Sequence, residues 1–101
     1  MQWRQACRLG DVAPESARVV LIGETAVLIV RSAGACFASS PKCPHLGMSL
    51  ENGEVEGGSV RCRSHGYKMD LASGECLTER GLRLEVYRTE LRDGWIWVEL
   101  A

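Results

Sequence analysis

At 101 residues, with 12 Lys and Arg against 13 Asp and Glu, the chain carries a net charge of −1. That balance offers no electrostatic footprint for a nucleic acid, and the longest apolar run, residues 26–30, falls far short of the about 20 residues that cross a bilayer. The length fits one domain, residues 1–101, with a modest core, and the N-terminal residues lack a hydrophobic signal region, which reads as a mature cytoplasmic protein.

In chain order, residues 11–15 read as one turn of helix or a loop. Residues 18–22 and 26–31 are rich in β-branched side chains and flank Gly23-Glu24-Thr25, which predicts a hairpin. After the breaker Ser32-Ala33-Gly34, residues 35–39 form a third short strand. Residues 47–58 read as an irregular connection holding Asn52-Gly53 and Gly57-Gly58. Short strands follow at 58–62 and 67–71. Residues 82–91 and 95–100 flank Arg92-Asp93-Gly94, and Asp-Gly is a strong tight-hairpin signal. Ile96, Val98 and Leu100 alternate with Trp95, Trp97 and Glu99, so one face of the last strand is aliphatic. Trp3, Trp95 and Trp97 suggest terminal strands paired over a small core. Eight to ten short strands predict an all-β sandwich or small barrel.

The two histidines of the chain both follow cysteines, in Cys43-Pro44-His45 and Cys62-Arg63-Ser64-His65, with sixteen residues between the two motifs. Cys43, His45, Cys62 and His65 are therefore the candidate metal ligands. Zinc modules usually pair like ligands at two to four intervening residues. A mixed Cys2His2 set also suits a [2Fe-2S] centre with two thiolates on one iron and two imidazoles on the other. A zinc interaction module stays open beside it, and colour separates the two. Both halves fall at loops, where rigid β scaffolds usually build their sites. Cys7, Cys36 and Cys76 read as small buried or half-buried hydrophobes, since nothing in the sequence signals a secretory route or a disulfide framework.

Residues 43–50 and 62–70, followed by Ala72-Ser73-Gly74-Glu75, resemble the motif of Rieske-type [2Fe-2S] ferredoxins, and the resemblance covers residues 36–100. It implies a Rieske-like antiparallel β-sandwich with a two-loop cluster-binding part at about 36–82. It also implies Cys43 and Cys62 on one iron, with His45 and His65 on the other, solvent-facing one. Two neutral imidazoles in place of thiolates remove two negative charges from the centre and raise its potential, to about −150 to +300 mV across Rieske proteins against about −400 mV for plant-type clusters. Imidazoles on loop tips would give a short electron path and a titratable group coupled to redox state. Gly47 and Gly66 would let N–H groups approach the bridging sulfides. Pro44, Leu46 and Met48 would exclude water, and Tyr67 would shield the centre.

The departures carry information. High-potential Rieske proteins have an additional cysteine in each loop, where this chain has Met48 and Ser64. Their sulfide- and cysteine-directed hydroxyls fall at Tyr67 and Met69 here. Fewer donors predict the low end of the range, roughly −150 to −50 mV. The stretch after Gly74, residues 76–81, lacks the proline that ferredoxins of this type often carry, which bears on how that third loop packs. The resemblance implies a monomeric electron carrier, not an enzyme, between an NAD(P)H-dependent flavin reductase and a terminal oxygenase, either an aromatic-ring dioxygenase or a diiron monooxygenase. The alternative is a small subunit of a larger oxidoreductase such as NAD(P)H nitrite reductase. Lys42, Arg63 and Lys68 form a candidate basic rim; Glu51, Glu54 and Glu56 form a candidate acidic one; either set also reads as solvated surface.

Overall fold

The computed structural model describes all residues except Leu46, Ser64 and His65. Ten strands follow one another: β1 Gln2–Arg8, β2 Ser16–Ile22, β3 Thr25–Ser32, β4 Ala35–Ser39, β5 Glu54–Glu56, β6 Ser59–Arg61, β7 Lys68–Asp70, β8 Val86–Tyr87, β9 Thr89–Arg92 and β10 Trp95–Leu100. A 3-10 turn, Leu9–Asp11, sits just before the predicted helical turn at 11–15. Among the described residues no helix is long and apolar enough to cross a membrane.

The strands form three antiparallel sheets, in the orders β1-β10-β9, β2-β3-β4-β8 and β5-β6-β7. The middle sheet is covered on both faces, and β3 shows why. Val27 and Ile29 enter one apolar cluster with Ile96, Val98 and Leu100 of β10. Leu28 and Val30 enter a second with Leu50, Val60, Met69 and Leu84. All four β3 side chains are fully buried. A strand buried on both faces needs a continuous apolar run instead of an alternating one, and residues 26–30 supply it.

The predicted terminal pairing holds: Trp3 lies opposite Glu99 and Gln5 opposite Trp97. The aliphatic face of β10 is buried as its alternation requires. At Asp93-Gly94 both turn residues have positive φ, 51° and 81°, as a type I′ hairpin demands. Two sequence expectations need correction. Residues 82–91 are not one strand: β8 pairs with β4 in the middle sheet, and β9 pairs with β10 in another. The split lets one segment pass between layers. Residues 47–58 are not wholly irregular, because β5 lies within them and pairs with β6.

Buried Ser32 links two layers. Its hydroxyl donates to Glu15 Oε2 (2.7 Å) and accepts from the Gly58 N–H (2.9 Å). On the opposite side of the middle sheet, burial and the neighbouring Glu85 carboxylate push the Tyr87 phenol up to about 12. Folding therefore gains from Tyr87 fully below the unfolded value of about 10, and that gain is lost as pH climbs from about 10 through about 12. Alkaline unfolding followed by circular dichroism is expected to show this decline in the native chain and a flatter profile in Tyr87→Phe.

Candidate metal centre

The two candidate loops share one backbone frame. In the first, the Cys43 N–H donates to the Met48 carbonyl (2.7 Å) and the Gly47 N–H to the Cys43 carbonyl (2.8 Å). In the second, the Cys62 N–H donates to the Tyr67 carbonyl (2.8 Å) and the Gly66 N–H to the Cys62 carbonyl (2.9 Å). Cysteine at one position and glycine four later close both turns, with φ of 70° at Gly47 and 72° at Gly66. That equal spacing was visible in the five-residue words Cys-Pro-His-Leu-Gly and Cys-Arg-Ser-His-Gly, and it is the signal for the shared frame. The histidines sit one position apart within it.

The glycines' own N–H groups therefore close the two loops. The loop bases are pinned further: the Leu50 N–H donates to the Pro41 carbonyl (2.7 Å), and β6 and β7 pair Arg61 with Lys68. Arg61 Nη1 donates to the Gly66 carbonyl (2.6 Å), and Arg63 Nε donates to the Asn52 carbonyl, tying the second loop to the foot of the first.

Cys43 and Cys62 are buried, 1% and 2% exposed, inside the second apolar cluster. His45 is half-buried, and its ring meets Tyr67 edge-on with centroids 4.5 Å apart. This contact brings the two loops together, with the thiols inside and the His45 imidazole toward the surface. His65, the fourth candidate, lies outside the described residues, as do Leu46 and Ser64. Met48 is 49% exposed, while Pro44 is half-buried. The described donors, two buried thiols on the core side and the half-buried His45 imidazole on the outer side, are of the kinds that a mixed-ligand iron–sulfur centre takes.

The other cysteines behave differently. Among the described residues no disulfide joins any two cysteines. Burial pushes the Cys7 and Cys36 thiols up, with the Asp11 charge adding to the effect at Cys7, so both favour the neutral form. Cys76 is half-buried, with Sγ 3.6 Å from the Thr78 hydroxyl. The proline-free third loop is nonetheless anchored: the Leu77 N–H donates to the Lys68 carbonyl (2.7 Å), and the Cys76 N–H to the Leu82 carbonyl (3.1 Å). Sequence reasoning gave no sign of this clamp on β7.

The layered antiparallel fold and paired Cys-His loops define an iron–sulfur protein class. Residues 2–88 match the Rieske [2Fe-2S] domain, and the chain belongs to that family. Its cofactor is a Rieske-type [2Fe-2S] cluster. The chain is 40% identical over 94 residues to the 3-chlorobenzoate-3,4-dioxygenase oxygenase subunit of Comamonas testosteroni, covering 83% of this chain but only 22% of that protein's length. It is 30% identical over 102 residues to the methanesulfonate monooxygenase ferredoxin subunit of Methylosulfonomonas methylovora, covering 100% of this chain and 83% of that one. The ferredoxin of carbazole 1,9a-dioxygenase from Nocardioides aromaticivorans has the same fold, with a TM-score of 0.88, 19% identity and complete coverage of both chains.

Proposed function

We infer that this chain is a low-potential Rieske-type ferredoxin that carries single electrons from an NAD(P)H-dependent flavin reductase to a terminal oxygenase in the cytoplasm. The observation that carries this reading is the match of the whole chain to 83% of the length of a ferredoxin subunit. The dioxygenase relative supports an oxygenase as the electron acceptor. When bound, the cluster supplies a one-electron store, and the protein sets its potential and access.

The proposed ligands are Cys43 and Cys62 on the inner iron and His45 and His65 on the outer one. Buried thiols hold the inner side away from water, and half-buried His45 offers the route outward. Tyr67 packs on His45 and fixes the ring relative to the second loop. The two-loop part, about 36–82, carries the centre. Met69 is fully buried and brings no hydroxyl to it, in line with a low potential.

The dithionite-reduced protein is expected to give a rhombic EPR signal with average g below that of an all-cysteine cluster, and a midpoint of roughly −150 to −50 mV. The variant His65→Cys should shift both toward the all-cysteine type. A colourless zinc protein or a clearly positive midpoint would overturn the reading. Stoichiometric co-purification with a larger oxidoreductase would replace the carrier with a fixed subunit, whereas the carrier should run as a monomer on gel filtration.

A further inference from the structure

The pair Asn52-Gly53 contributes no ligand to the candidate centre, and Asn52 is the single asparagine of the chain. Asparagine followed by glycine is the pair most open to attack of a backbone nitrogen on the side-chain amide, because glycine places no side chain over that nitrogen. Packing forces glycine here. A Cβ at position 53 would stand 2.7 Å from the Arg61 carbonyl oxygen, 2.8 Å from Val60 Cγ2 and 3.1 Å from the Leu50 carbonyl oxygen. The fold therefore keeps a chemically labile pair between the first candidate loop and β5.

The same fold holds the attacking atom still. The Gly53 N–H donates to the Leu50 carbonyl (2.9 Å), closing a turn over residues 50–53. The Asn52 carbonyl accepts from Arg63 Nε of the second loop. The Glu51 N–H donates to the Ser49 hydroxyl (3.2 Å). Leu50 is fully buried, and its own N–H donates to the Pro41 carbonyl (2.7 Å), so the turn is tied to the base of the first loop. Asn52 itself is exposed, and water reaches its amide. An N–H that is already donating gives up its proton less readily. A clamped turn also has to open before its nitrogen can swing onto the side chain.

We propose that Asn52 is a deamidation site, closed while the two loops are in place and opened when the first loop is released. In the open chain the Gly53 nitrogen loses its proton and bonds to Asn52 Cγ. The Cγ–Nδ2 bond breaks, and Nδ2 takes up the proton and leaves as ammonia. Water then opens the succinimide ring. Attack at the side-chain carbonyl gives aspartate at 52; attack at the main-chain carbonyl gives isoaspartate, whose peptide link runs through Cγ. Nothing is oxidised or reduced. Isoaspartate lengthens the backbone by one carbon beside Gly53, where Arg61, Val60 and Leu50 leave no room. The turn does not close again over that link, so a released loop stays released. This chemistry does not depend on the carrier reading.

The test follows the tryptic peptide of residues 43–61, bounded by Lys42 and Arg61, by mass spectrometry. The cluster-loaded protein and the same protein unfolded in guanidinium chloride are incubated in parallel in mildly alkaline buffer. The amide-to-acid mass change should accumulate about a hundredfold faster in the unfolded chain, because the folded rate is limited by local opening. Arg63→Ala, folded by circular dichroism, should convert about tenfold faster than the folded native chain, since one anchor of the turn is gone. Equal rates in folded and unfolded native chain would overturn the gate, and an intact amide in the unfolded chain would overturn the site. A folded Arg63→Ala protein converting at the native rate would remove Arg63 from the clamp. The isoaspartate chain, separated by chromatography, and Asn52→Asp are then refolded with iron and sulfide. Asn52→Asp should regain native circular dichroism and the isoaspartate chain should not; equal recovery of the two, complete or absent, would overturn the permanence of the release.

Discussion

Replacing Cys62 with serine is expected to abolish the visible absorbance of the purified protein, while Cys7→Ser, Cys36→Ser and Cys76→Ser keep it. The contrast follows from position. Cys62 is 2% exposed, its carbonyl accepts the Gly66 N–H that closes the second loop, and its side chain lies among Val60, Met69 and Leu71. Serine offers iron a harder, weakly acidic oxygen in place of a soft thiolate. It also leaves a hydroxyl in an apolar cluster, at a cost of about 1–3 kcal/mol where no partner is gained. Cys7 and Cys36 belong to the other apolar cluster, where burial favours their neutral thiols, and Cys76 lies beside Thr78 on the third loop. Absorbance spectra and iron content of the four variants, purified in parallel, decide the matter. A coloured Cys62→Ser protein would remove Cys62 from the ligand set.

Gly74→Ala is expected to be the most damaging of the glycine substitutions. A Cβ there would stand 2.3 Å from the Leu84 carbonyl oxygen, and the residue has φ of 85°. Neither side can retreat cheaply. The Gly74 N–H donates to the Asp70 carbonyl (2.8 Å), and its own carbonyl accepts the Leu84 N–H (2.7 Å). Left-handed backbone alone costs an L-residue about 1–2 kcal/mol, and overpacking adds about 1–3. A total of about 3 kcal/mol is a large share of the about 5–15 kcal/mol that holds a domain folded. Two companions separate the contributions. Gly81→Ala shares the positive φ, 89°, but has open space around it, so only the backbone cost of about 1–2 kcal/mol remains. Gly10→Ala has neither constraint and should leave stability nearly unchanged. Thermal or urea unfolding of the three should rank them in that order; equal losses at positions 74 and 81 would show that the approach to Leu84 relaxes.

Much of the candidate site was legible in the residues because its signals are local. Ligand identity, Cys-His spacing and the Asp93-Gly94 turn each depend on a few adjacent positions. The strand breaks were harder. A run such as 82–91 shows β character throughout, but only the competition between two sheets decides that the chain leaves one ladder and enters another at Arg88. Met48 is a similar case: apolar character does not say how far a loop side chain is buried, and this one is half exposed.

From the sequence alone came an all-β chain, a candidate Cys2His2 donor set split over two loops and, from Met48 and Ser64, the expectation of a low potential. These follow from chemistry that a residue carries wherever it sits. The tertiary structure decided which thiols are buried, how β3 serves two apolar clusters, and how the third loop clamps β7. Such properties depend on packing and screening between segments distant in the chain, and only the folded arrangement brings those segments together.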